Sequence, residues 1–376
     1  MSRVSDLLDA AKAATGFDNF GDDGFREGLE ILVESADREA RLNDAGRAMF
    51  DGQCTLFLSR RLEIEDWYAR HPEIDDEEIV APLMVLGLPR TGSTALHCLL
   101  GEDPAVRVMR NWECMMPCPP PEAETYETDP RIALMDEQMK LRDKMTPRMK
   151  QMLPSTATSP TEDQVTMGFD FKSQMFQASF RIPTYVEWFN TRADLVPTFE
   201  YVKRVLKLLQ WRCPPKRWYL KTPVHTYDIE PLLKVFPDAN FVWTHREPLR
   251  SLSSVCSLIY HFRRAFVDNP NPEYLGHEHR AYWTVGLQRA LDARERLGED
   301  RFHDVYHRVQ IVDPSRQVRE LYAKFGWPYP PEMDARIAAW QEEHPKGKHD
   351  ARPEFFGLDP DAVNEEFRFY TERFGL

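Results

Sequence analysis

Two groups of basic and hydroxyl residues in this 376-residue chain have the types and spacing to hold an anion. The first is Gly87-Leu-Pro-Arg-Thr-Gly-Ser-Thr94, between an apolar run and a helical pattern. A loop joining a buried strand to a helix N-terminus offers unpaired backbone N–H groups at the positive end of the helix dipole, which favours a bound phosphate. Its spacing nearly matches the nucleoside-triphosphate loop GxxxxGK followed by Ser or Thr, but Ser93 stands where the lysine belongs and the cation has moved to Arg90. That lysine serves the β- and γ-phosphates of a triphosphate, so its loss argues against a kinase. Arg90, with Thr91, Gly92, Ser93 and Thr94 around it, suits one 5′-phosphate and the group attached to it.

The second group is Arg246, at the tip of the strand pattern that starts at Asn240, and Ser254 on the helix pattern opened by Pro248. Eight residues are about two helical turns, so both side chains reach one anion if the helix folds back past the strand end. Read alone, Arg246 is equally a surface ion pair and Ser254 a helix-face hydroxyl.

These groups need a scaffold of strands that deliver loops and helices that start at them. Pro82 to Leu88 reads as a fully buried strand and Ser93 to Leu100 as a helix. Downstream, strands at 217–221, 240–244 and 302–306 alternate with helices at 201–211, 226–236, 248–266, 280–297 and 314–325. Strands separated by helices imply an α/β fold, a P-loop-like parallel sheet flanked by helices. Residues 1–78 form an N-terminal helical segment packed on the main domain, which covers 79–376 and carries helical insertions such as 131–152. Asn111 to Glu124, rich in Pro, reads as a loop, and 332–343 and 361–374 as closing helices.

A hydrophobic content of 42% supports a sizeable core, and a formal charge of -13 excludes general affinity for nucleic acid. The N-terminus reads as a short amphipathic helix, not a signal peptide, and no apolar run is long enough for a membrane span, so a cytoplasmic location is expected. Six cysteines without paired spacing predict free thiols and no metal site. The sequence sets no oligomeric state.

The loop at 88–94, the segment Tyr219-Leu-Lys-Thr-Pro223, and Arg246 with Ser254 resemble the sulfotransferases that use 3′-phosphoadenosine 5′-phosphosulfate (PAPS), in particular the branch containing bacterial enzymes and the protein-tyrosine sulfotransferases. The resemblance runs from about Pro82 to the C-terminus and is loosest between 125 and 200. It implies that Arg90 and residues 91–94 take the 5′-phosphosulfate of PAPS, Arg246 and Ser254 its 3′-phosphate, and that no metal is needed. The tail around Lys346-Gly-Lys-His-Asp looks like the family's closing segment. Ala351 and Arg352 stand where related tails often have Tyr, which argues against a cofactor role for Lys348.

In-line sulfuryl transfer to a hydroxyl requires a base and cations on the departing phosphate. Glu113 matches the position of the catalytic glutamate in the protein-tyrosine branch; His225 competes, because imidazole titrates near neutrality and many of the wider family use a histidine. Lys221 would donate to the leaving phosphate or sulfuryl oxygens. Two other readings are a nucleoside-triphosphate-dependent kinase and a non-catalytic nucleotide or phosphosugar binding module. The acceptor is a small-molecule or glycan hydroxyl, with a lean toward a lipophilic alcohol or phenol. That lean rests on ten methionines between 109 and 175 and on Phe169, Phe171, Phe176, Phe180, Tyr185 and Trp188.

Overall fold

Five short strands build one parallel sheet in the computed structural model, which describes residues 2–145, 147–213, 216–344 and 352–376. They are β1 (Leu83–Gly87), β2 (Val106–Val108), β3 (Arg217–Lys221), β4 (Asn240–His245) and β5 (Phe302–Tyr306), in the order β2-β3-β1-β4-β5. β1 lies at the centre, with Leu83 opposite both Tyr219 and Asn240, and Gly87 opposite Thr244. All five β1 residues are buried, as a strand covered by helices on both faces must be. Successive side chains alternate between two cores: Met84 and Leu86 enter the larger one, and Leu83 and Val85 the smaller.

The helices, in chain order, are α1 (Arg3–Thr15), α2 (Phe25–Glu39), α3 (Asp44–Arg70), α4 (Ser93–Leu100), α5 (Asn111–Met115), α6 (Pro130–Met145), α7 (Pro147–Met152), α8 (Gln164–Gly168), α9 (Met175–Ser179) and α10 (Pro183–Thr191). They continue as α11 (Val196–Gln210), α12 (Ile229–Val235), α13 (Pro248–Arg263), α14 (Pro272–Leu297), α15 (His307–Gln310), α16 (Pro314–Lys324), α17 (Met333–Glu343), α18 (Pro360–Glu366) and α19 (Arg368–Phe374). From β1 the chain runs first to β2 at one edge and later to β4 and β5 on the other side. The carboxyl end of β1 therefore lies where the strand order reverses, where an α/β sheet leaves a crevice for ligands.

The first three helices share the larger core with the main domain. The buried guanidinium of Arg61 on α3 donates to the carbonyls of Phe20 at 2.6 Å and Asp22 at 2.8 Å, and lies 3.2 Å from Asp170. The Asp170 carboxylate also accepts from Thr198 and Lys172, so one buried polar knot joins α3, α11 and the segment before α9. Gly28 on α2 sits where a Cβ would come within 2.6 Å of the Phe171 carbonyl, which explains a glycine inside that helix.

Several expectations change. Asn111 to Met115 is a short helix, closed by a reciprocal cap between Arg110 and Glu113, where a loop was expected. The helix expected over 226–236 divides into a tight turn at Pro223–Thr226, capped by the Thr222 hydroxyl, and α12. The last helix breaks at Phe367 into α18 and α19. The aromatic residues Phe169, Phe171, Phe176, Phe180, Tyr185 and Trp188 are all buried in the core shared by the N-terminal helices and the main domain, and do not line the large cavity at the β1–α4 loop.

Candidate functional site

The β1–α4 loop is built around two bends. Gly92 takes φ of 90°, a left-handed conformation that favours glycine, and a Cβ there would also press on the Gln310 side-chain oxygen at 2.8 Å. Arg90 also adopts a left-handed φ of 67°, uncommon for a residue with a side chain and found where the surroundings enforce it. The enforcing contact is Arg246 at the tip of β4, whose guanidinium donates to the Arg90 carbonyl at 2.8 Å. The Arg90 side chain in turn donates to the Ser254 hydroxyl at 3.2 Å and the Met152 carbonyl at 3.3 Å. The two groups that lay 156 residues apart in sequence are thus one site.

Burial, and then the neighbouring Arg246, pull the Arg90 pKa below the ordinary guanidinium value; burial and Arg250 do the same to Arg246. Two partly desolvated cations that donate to neutral oxygens will be stabilised by any anion placed between them. Both line a cavity of about 1030 Å³ together with Gly92, Ser93, Thr94 and Ser254. The first N–H groups of α4, which have no partner within the helix, start at the same place.

Thr91 departs from expectation. Its hydroxyl donates to the Leu88 carbonyl at 2.7 Å and lies 2.6 Å from the Thr244 hydroxyl, fully buried. It fixes the loop to β4 and does not reach the cavity. Lys221, at the end of β3, lies just behind the wall: its ammonium donates to the Thr94 hydroxyl at 3.2 Å and to Glu162 at 2.5 Å, and both partners line the cavity.

Neither expected base faces this space. Glu113 is completely buried, bonded by Arg107 at 2.8 Å, by the Tyr126 hydroxyl at 2.9 Å and by the Arg110 backbone N–H at 3.1 Å. Every one of these donors is internal, so the carboxylate works as a structural anchor for α5. The His225 Nε2 lies 2.7 Å from Asp163, and both are buried. The carboxylate that does reach the cavity is Glu162. It is placed there because residues 157–161 are stitched to 109–112, through Trp112 N–H to the Ala157 carbonyl, Asn111 N–H to Ser159 and Thr161 N–H to the Met109 carbonyl. Lys348 falls outside the described residues. Among the described residues no group of three or more His, Cys, Asp or Glu is placed to hold a metal ion, and the six cysteines are unpaired.

Beside His225, Asp228 is buried, and that burial pushes its carboxyl up to about 7 from 3.8, with Arg289 and His225 opposing the shift. A folded-state value above the unfolded one means that the stabilising protonated form is complete below about pH 4 and is lost as the pH rises through 7. Asp228→Asn should therefore raise stability in urea melts at pH 8 by roughly 1–3 kcal/mol and change it little at pH 4. An equal effect at both pH values would contradict this assignment.

Away from the cations the cavity wall is mainly apolar, with Leu153, Met175, Leu258, Ile259, Phe262 and Trp283, interrupted by Gln174, Gln177 and His279. Of the methionine-rich stretch, Met175 reaches this wall while Met109, Met139 and Met167 are core. The arrangement is suited to an anionic group at the β1–α4 loop and an apolar body along the wall, with Glu162 also lining the cavity.

Comparisons with known proteins agree with this geometry. A model described as "Sulfotransferase family" matches residues 82–331. The chain is 28% identical over 260 residues to the omega-hydroxy-beta-dihydromenaquinone-9 sulfotransferase Stf3 of Mycobacterium bovis, and to that of Mycobacterium tuberculosis. That match covers 66% of this chain and 64% of the relative's length. Among solved structures, sulfotransferase STF9 from Mycobacterium avium superposes with a TM-score of 0.92 at 34% identity, over 99% of this chain and 97% of that one. Sulfotransferase STF1 from Mycobacterium tuberculosis gives 0.88 at 29% identity, over 97% and 98%.

Proposed function

The chain belongs to the sulfotransferase family, and we propose that it moves the sulfuryl group of PAPS onto the hydroxyl of a lipophilic small molecule. The observation that carries this reading is the pairing of Arg90 with Arg246 and Ser254 beside Lys221, at the mouth of the β1–α4 loop. The residues fit such a donor. Arg90 and the α4 N-terminus, with Ser93 and Thr94, suit the 5′ side, and Arg246 with Ser254 the 3′-phosphate.

Bound there, the donor supplies an activated sulfuryl group and a phosphate that can leave. Lys221 and Arg90 stabilise the negative charge that collects on the leaving side. Glu162 is our candidate base, in place of Glu113 and His225, because its carboxylate reaches the cavity. The Lys221 ammonium pairs with that carboxylate at 2.5 Å, and an anion arriving at the loop competes for the same ammonium. The carboxylate oxygen so released is free to accept the proton of an acceptor hydroxyl.

The acceptor end is apolar, which supports an alcohol or phenol with a hydrophobic body over a sugar. The relative Stf3 is named for a long lipid-quinone alcohol, in keeping with this choice. Labelled-sulfate transfer from PAPS across a panel of acceptors tests it: label should enter long-chain alcohols and phenols, and label confined to polysaccharides would refute it.

A further inference from the structure

Large apolar side chains left in solvent gather around the cavity mouth. Leu134, Leu141 and Met145 are 57%, 59% and 54% exposed, and their spacing puts them along one face of α6. Helix α7 connects this face to Leu153 in the cavity wall, and the Met152 carbonyl at its end holds Arg90. On another side of the opening Phe355 is exposed two residues after Pro353, itself a wall residue. Ile311 lines the cavity, and Val312 beside it is 80% exposed.

On the α6–α7 side of the opening the charges run against those of the molecule. The chain carries a formal -13. Along α6 and α7, Lys140 pairs with Glu137 and Arg142 with Asp143, while exposed Lys144 and Arg148 add positive charge beside Leu141 and Met145. Around Phe355 the charges are mixed: exposed Arg352 and Glu354 precede it, and exposed Arg264 lies over Tyr260, whose ring meets Phe355 edge-on at 5.3 Å. Apolar tips around an opening, with an excess of cations along one side of it, are the composition that binds the headgroup boundary of an anionic bilayer. A protein partner would favour one continuous buried patch over separate tips.

We propose that this rim seats the protein peripherally on an anionic lipid surface, with the cavity mouth facing the membrane, so that a lipophilic acceptor enters without crossing water. No helix among the described residues is long and apolar enough to cross a membrane, so the contact is one of surface docking. The route for the acceptor rests on the function proposed above; the docking does not, and it is measured with neither donor nor acceptor present.

The test is co-flotation with phosphatidylcholine vesicles, with and without phosphatidylglycerol. The full chain should float with the anionic vesicles at least about tenfold more than with the neutral ones, and high salt should weaken it. Leu141→Glu with Met145→Glu should lower flotation about tenfold or more, as should Lys144→Glu with Arg148→Glu, both with unchanged melting temperature and unchanged affinity for adenosine 3′,5′-bisphosphate. Wild-type protein that stays unbound with anionic vesicles, or folded variants of both kinds that float like wild type, would overturn the proposal. Sulfuryl transfer to a water-soluble alcohol that survives either outcome keeps the two readings separate.

Discussion

Arg90→Ala is expected to weaken binding of adenosine 3′,5′-bisphosphate by roughly 10- to 100-fold, the loss of a charge-assisted contact made in a partly desolvated site. The substitution isolates the side chain well. Arg246 anchors the loop through the backbone carbonyl of residue 90, which alanine retains. Alanine meets the same left-handed φ of 67° as arginine, so the backbone cost cancels. Removing the guanidinium also relieves its burial and its repulsion from Arg246, the two causes that lower its pKa, and the melting temperature should not fall. Calorimetry with the bisphosphate reads the effect, and unchanged affinity would place the anion elsewhere.

Glu162→Gln should lower turnover by about 100- to 10,000-fold while leaving bisphosphate affinity within about threefold, as expected for loss of a general base. The comparison with Glu113→Gln carries the discrimination. Glu113 neutralises the buried Arg107, whose Nε and one terminal nitrogen already lack a hydrogen-bond partner, so its loss leaves a desolvated cation with only the Trp218 and Tyr126 rings beside it. That variant should melt earlier, by about 3 kcal/mol, yet retain turnover per folded molecule. Full activity in Glu162→Gln together with a dead but stably folded Glu113→Gln would restore the motif-based choice; a stably folded His225→Ala that alone loses turnover would instead point to the histidine.

The loop at 87–94 and the step from Arg246 into the helix that carries Ser254 were legible because both are local: each is a strand end read into a helix start, and the parallel order of the strands brings the two ends together. What the sequence hid was long-range. Strand β2 has only three residues, Val106–Val108, too few to show a period. Glu162 lies in a stretch without regular pattern, and the backbone bonds from 157–161 to 109–112 that aim it at the cavity leave no trace in spacing. Its only local sign is a pair of adjacent carboxylates, Glu162 and Asp163, ahead of α8. The same limit misled the aromatic reading. Phe169 to Trp188 are rich in rings because they close the core against α2 and α3, and composition does not separate a core from a cavity wall. Glu113 illustrates the converse, since a matching motif position singled it out as a base while its side chain turns inward to Arg107.

The central claim, that Arg90 and Arg246 hold the two ends of a 3′-phosphorylated donor, is met most directly by comparing adenosine 3′,5′-bisphosphate with adenosine 5′-monophosphate by calorimetry in wild type and Arg246→Ala. Wild type should bind the bisphosphate at least about tenfold more tightly, and Arg246→Ala should erase most of that difference, because the second phosphate then has lost its cation. Equal affinity for the two nucleotides in wild type, or a preference that survives in Arg246→Ala, would contradict the account.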